Sequence, residues 1–190
     1  MKKIVSAILL SSLVSIGAYA EEVEAVEHSE EKSDFYIAAK ALATLGSSVD
    51  EENLTLKGDT GAGLGIDLGY EISHGFSVEV DATYAANTIT ETNNDTGDSE
   101  DFSAWYATSS MDIAYRYMAT EALGLVVKGG YEVEYEKIDT KESATNSGFV
   151  YAAALTYEIN EYIGILGEYE VTTIDGPRGN SAFAGVEYSF

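Results

Sequence analysis

Apolar residues recur at every second position over long stretches of this chain. The clearest run is AGLGIDLGYEI, residues 62 to 72, in which Ala62, Leu64, Ile66, Leu68, Tyr70 and Ile72 fall on one face and Gly63, Gly65, Asp67, Gly69 and Glu71 on the other. Period 2 is the pattern of a β-strand with two chemically different faces. After SHG at 73 to 75, Phe76, Val78, Val80, Ala82 and Tyr84 alternate with Ser77, Glu79, Asp81 and Thr83. Two strands joined by so few residues make an antiparallel hairpin. The same reading predicts strands near 35–45, 61–72, 76–88, 103–118, 123–137, 148–159, 162–174 and 180–190, eight in all.

The predicted connections fall into two classes. Those at 73–75, 119–122 and 160–161 are short, whereas those around 46–60, 89–102, 138–147 and 175–179 are longer and polar. Short and long alternate strictly, so consecutive hairpins trim one end of the fold and elaborate the other. Membrane barrels are built this way, with short turns in the periplasm and long loops outside.

Aromatic residues mark the ends of the apolar faces. Phe76 and Tyr84 lie eight residues apart, which is about 27 Å along a strand and roughly 20 Å along the membrane normal at ~40° tilt. Parity places Tyr70, Tyr115, Tyr117, Tyr157 and Phe190 at one rim, and Tyr84, Trp105, Tyr131, Tyr135, Tyr151 and Tyr169 at the other. Two girdles at the membrane interfaces are the expected arrangement.

The opposite parity is charged. It carries Lys40, Arg116 and Lys128 together with Asp67, Glu71, Glu79, Asp81, Asp112, Glu132, Glu134, Glu158, Glu168, Glu170 and Glu187. An eight-stranded barrel is just wide enough for side chains to fill it, so these groups are expected to form a salt-bridged plug with the three basic residues as hubs. Acids outnumber bases, which leaves some carboxylates to be hydrated, protonated or neutralised by cations.

The first twenty residues, MKKIVSAILLSSLVSIGAYA, combine a basic start, an apolar stretch and small residues at Ala18 and Ala20. This predicts a cleaved signal peptide over 1–20 and a mature chain from Glu21. Residues 21–34, EEVEAVEHSEEKSD, read as an acidic periplasmic lead-in, and 35–190 as the barrel. The formal charge is −23, and removing Lys2 and Lys3 with the leader makes it −25. Such a surface excludes nucleic acid as a partner. With no cysteine, neither a disulfide framework nor a thiolate metal site is available. Fourteen tyrosines, 18 glycines and one proline suit strands.

The chain ends in AFAGVEYSF, with Phe190, Tyr188, Val186 and Ala184 on one face up to the last residue. With the leader, the eight alternating strands and the loop asymmetry, this ending resembles the small eight-stranded outer-membrane β-barrels, the family of the OmpA transmembrane domain and OmpX. The resemblance implies an all-β fold, an eight-stranded antiparallel up-and-down transmembrane β-barrel in the cell outer membrane. It also implies that Phe190, Tyr188, Val186 and Ala184 form the signal read by the barrel-assembly machinery. The other expected partners are outer-membrane lipid and lipopolysaccharide, and the barrel is expected to be a monomer.

The expected role is structural and surface-displaying, carried by the loops GSSVDEENLTLKGDTG and TETNNDTGDSED, whose composition reads as mobile surface loop. The acidic lumen keeps a second reading open, a narrow cation-preferring pore or an OmpW-like small-molecule conduit. Enzymatic activity is not expected, because the only histidines are His28 in the lead-in and His74 in a turn, away from any nucleophile at the outer rim. No cofactor is expected. Asn94, Asp95, Asp98, Glu100 and Asp101 are hard oxygen donors, but their spacing is not that of an EF-hand loop.

Overall fold

The computed structural model describes residues 34–190 except Glu142. The signal peptide and all of the acidic lead-in but Asp34 lie outside the described residues. Ten strands follow in order: β1 (Phe35–Thr44), β2 (Ser48–Glu51), β3 (Leu54–Gly58), β4 (Gly61–Ser73), β5 (Phe76–Asn93), β6 (Ser99–Met118), β7 (Leu123–Ile138), β8 (Ala144–Glu158), β9 (Ile163–Thr172) and β10 (Ser181–Ser189). Eight of them form a ring. Each long strand pairs antiparallel with its sequence neighbours, from β4 through β10, and β1 closes the ring between β4 and β10.

Burial follows the predicted parity. In β1, Ala38, Lys40, Leu42 and Thr44 are buried while Ala39 and Ala41 are exposed. In β4, Leu64, Ile66, Leu68 and Tyr70 face outward and Asp67 is 1% exposed. A strand whose apolar side chains point away from the enclosed space has exchanged water for lipid as its outer solvent. Aromatic contacts gather at the two ends of this outer face. Phe35–Tyr70, Phe76–Tyr115, Tyr162–Tyr188 and Tyr188–Phe190 pair at the short-turn end. Tyr84, Trp105 and Tyr135 pack in succession, with tilted rings, toward the other, with Tyr131 against Phe149.

The short turn after β4 shows why it can be so tight. His74 and Gly75 have φ of 53° and 83°, the left-handed pair that matches a two-residue hairpin to strand twist. Gly69 is required for another reason. A Cβ there would lie 2.0 Å from the Tyr36 ring, so its absence is what lets that ring lie across the inside of β4.

The outer connections differ from the expectation of open polar loops. Residues 48–58 fold as a hairpin, β2–β3, whose second strand pairs with the upper part of β5. Both β5 and β6 run beyond the predicted barrel end and pair as far as Thr92 and Ser99. Alternation of Leu54 and Leu56 with Thr55 and Lys57, and the β-branched run Thr88, Ile89 and Thr90, carry strand propensity that the Asn, Asp and Gly content masks. Above the ring, Ile89, Ala104, Tyr106 and Ile138 form a buried apolar cluster against which Leu56 and Phe102 pack. The outer end is therefore a folded sheet with its own small core.

Candidate functional site: a layered charge network in the lumen

Inward side chains stack in layers along the barrel. Nearest the short-turn end, Arg116 Nη2 lies 2.6 Å from Glu187 Oε2 and its guanidinium sits over the Tyr36 ring at 5.6 Å. The Tyr36 hydroxyl reaches up to donate to Glu79 and lies 2.9 Å from Ser77 Oγ.

The middle layer has two ammonium hubs. Lys40 Nζ is 2.7 Å from Asp67 Oδ2 and 3.1 Å from Glu168 Oε1. Lys128 Nζ is 3.3 Å from the same Asp67 oxygen and 3.0 Å from Glu168 Oε2, and it also pairs with Glu79. Both lysine side chains are under one-tenth exposed. Asp81 is less well served, with Lys40 Nζ at 4.0 Å. Asp112 meets none of the hubs within ion-pair distance and accepts instead from Ser110 Oγ at 2.5 Å.

The upper layer has a hub absent from the predicted set. Arg178, in the connection between β9 and β10, turns inward and is 3% exposed. Its Nη2 lies 2.5 Å from Glu132 Oε1, its Nε 2.5 Å from Glu134 Oε2, and its Nη1 3.9 Å from Glu170 Oε1. Glu132, expected to pair with one of three strand-borne bases, is thus held by a fourth from a loop. Pro177 and Arg178 lend their carbonyls to the end of β1, with Ser47 N donating to Pro177 O at 3.2 Å and Gly46 N to Arg178 O at 3.0 Å. This backbone clamp aims the side chain down the barrel. One signal in the chain could have found it: Arg178 is one of only two arginines and follows the only proline, in a lumen short of cations.

Free space narrows between these layers. A cavity of about 430 Å³ opens at the short-turn end among Tyr36, Glu71, His74, Arg116 and Glu158. Beyond it, between Tyr36, Asp67, Glu79, Lys128 and Glu168, about 10 Å³ remains, roughly the room one water molecule needs. Glu71 lies at the exposed rim, where its Oε1 accepts from Gly75 N at 3.3 Å. His74 is on the same exposed turn and hydrogen-bonds its neighbour Ser73.

The model of the outer membrane protein beta-barrel domain matches residues 6–190. The chain belongs to this family. Its place is accordingly the outer membrane, crossed by strands. No curated protein sequence matches it. Among solved structures the barrel is similar to Neisserial surface protein A, with TM-score 0.61 and 17% identity over 85% of this chain and 100% of that one. It is also similar to OprG from Pseudomonas aeruginosa, with TM-score 0.63 and 13% identity over 84% and 97%. A third is Ail of Yersinia pestis, solved with the heparin analogue sucrose octasulfate, with TM-score 0.54 and 15% identity over 84% and 100%. At these identities the likeness is one of fold, an eight-stranded outer membrane barrel.

Proposed function

We propose that this protein is a closed, non-enzymatic outer-membrane barrel that strengthens the envelope and presents a rigid sheet outside it. The observation that carries this reading is the folded outer end, where β2, β3, β5 and β6 stand above the ring over the Ile89, Tyr106 and Ile138 cluster. A pre-ordered surface binds without the entropy cost of ordering a loop. Its outer face is hydroxyl-rich and acidic: Thr55 donates to Asp50, Thr90 to Asp101, and Thr92 pairs with Ser99. Carboxylates at Asp50, Asp98, Glu100 and Asp101 are the wrong sign for a sulfated polyanion of the kind in the Ail complex. They suit a cationic partner, or lipopolysaccharide phosphates bridged by divalent cations.

The excess of lumen carboxylates favours a second reading, a cation-preferring pore. The constriction at Lys128 opposes it. Replacing 48–58 by a short Gly-Ser turn is expected to leave insertion and the heat-modifiable gel band intact while abolishing surface attachment. Planar-bilayer recordings of the parent barrel are expected to stay flat. Retained attachment would sink the display reading, and discrete cation-selective steps would put the pore in its place.

The last strand supports an assembly role. Ala184, Val186, Tyr188 and Phe190 line its exposed face, and Phe190 N donates to Phe35 O at 3.1 Å beside the β1–β10 seam. Deleting Phe190 removes one half-exposed ring and one hydrogen bond, a loss of about 1–2 kcal/mol. Refolding in micelles should therefore survive, whereas the amount of barrel reaching the outer membrane in cells should collapse. Equal loss in both assays would reduce Phe190 to a packing residue.

A further inference from the structure

We propose that the barrel holds one divalent cation of calcium type between Asp67, Glu79 and Asp81. Asp67 and Asp81 face each other across β4 and β5, and Glu79 follows on the same inner face. One carboxylate oxygen from each residue lies within 4.8 Å of the other two. Like charges placed directly opposite on neighbouring strands repel. Something must balance them.

The lysines do so only in part. Both ammonium groups converge on Asp67 Oδ2 and on Glu168. Asp81 is left with an ammonium 4.0 Å away from Oδ2. Its Oδ1 is buried without a hydrogen-bond partner, as is Oδ1 of Asp67, and Asp81 as a whole is 6% exposed. An unpartnered carboxylate buried this deeply is costly unless a cation meets it.

Charge and size together choose the ion. Asp67, Glu79, Asp81 and Glu168 set against Lys40 and Lys128 leave two negative charges, which one divalent ion cancels. Asp112, opposite Glu79, adds a further negative charge, so the layer with the ion bound is one charge negative. A water molecule offers two donors to three acceptors and cancels no charge. Calcium–oxygen distances of about 2.3–2.6 Å place ligands on opposite sides of the ion up to about 5 Å apart, matching the oxygen spacing. Magnesium needs about 2.0–2.1 Å in near-ideal octahedral geometry and gives up its waters reluctantly, which suits three buried carboxylates less well than calcium's flexible coordination. The Arg116–Glu187 pair and the Arg178 cluster lie on either side of this layer, so the ion is expected to enter as the barrel folds. The neighbouring ammonium groups hold the affinity down, which makes loading dependent on the calcium present during folding.

The mature chain should be refolded into detergent micelles with Ca²⁺, with Mg²⁺, or with chelator, then desalted and assayed for bound metal and thermal unfolding. The expected result is one Ca²⁺ retained per chain after refolding with calcium and a higher unfolding midpoint, with no comparable effect of Mg²⁺. Asp81→Asn removes one of the opposed charges, so it should fold without the ion and retain none. The outer-loop double variant Asp95→Asn/Asp98→Asn should retain it. Terbium provides a second readout, because Tyr36 donates to Glu79 and would sensitise emission from the bound ion, which Tyr36→Phe should dim. Absence of retained calcium in the parent, or equal retention and equal stabilisation in Asp81→Asn, would overturn the site. Equal retention of Mg²⁺ would overturn its calcium character.

Discussion

Lys128→Met is expected to lower barrel stability by about 3–5 kcal/mol, the cost of leaving buried carboxylates without their cation. Methionine preserves most of the side-chain length, so packing changes little and charge is what is lost. Among the described residues Glu79 then has no ion-pair partner, while Asp67 and Glu168 keep only Lys40. The Lys128 side chain is 8% exposed, so water does little to screen the change. Equilibrium unfolding in urea with the barrel in micelles measures it. Lys141→Met supplies the contrast, since Lys141 pairs with Glu91 outside the ring and its side chain is 32% exposed. There the loss should stay below about 1 kcal/mol. Adding Glu79→Gln to Lys128→Met should recover part of the loss, because the uncompensated charge goes with it. Similar losses for the two lysine variants would mean that the lumen network contributes no more than a surface pair.

The barrel was legible in the chain because membrane strands obey two rules at once. Leu64, Ile66 and Leu68 must face lipid while Gly65 and Asp67 face the filled interior, and that alternation survives without knowledge of any partner strand. Inward placement of Lys40, Arg116 and Lys128 followed from the same parity. The register that lets Lys40 and Lys128 share one Asp67 oxygen was not legible, because it depends on the stagger between strands distant in sequence. The outer hairpin was hidden for a related reason. Leu56 becomes a core residue only when Ile89, Tyr106 and Ile138 come together from three other segments. Short strands flanked by Asp, Asn and Gly then pair through tertiary context against their local turn propensity. Arg178 escaped because period-2 reading assigns a direction only to strand residues. A loop arginine has no parity, and its direction comes from the backbone bonds of Pro177 and Arg178 to the end of β1.

Arg178→Ala is expected to open the outer half of the lumen without opening a pore. The substitution leaves Glu132, Glu134 and Glu170 facing the space the guanidinium filled, at a cost of about 3–5 kcal/mol if they stay dry. Water entering from outside is the relief available to them, so the upper layer should hydrate. The lower layers are independent of Arg178, and with Lys40, Lys128 and the Arg116–Glu187 pair in place the barrel should remain non-conducting. Because the chain contains no cysteine, a single thiol can report on each level. Thr108→Cys sits on the inner face opposite Glu134 and is buried in the parent. Its reaction with a membrane-impermeant maleimide from the outer side should be slow with Arg178 present and fast in the Arg178→Ala background. Lys128→Met, acting below this level, should leave that rate nearly unchanged. If Thr108→Cys reacts equally fast with Arg178 present, the arginine does not seal the mouth. If Arg178→Ala alone yields steady current, the two layers are not barriers in series and the middle network is weaker than its geometry implies.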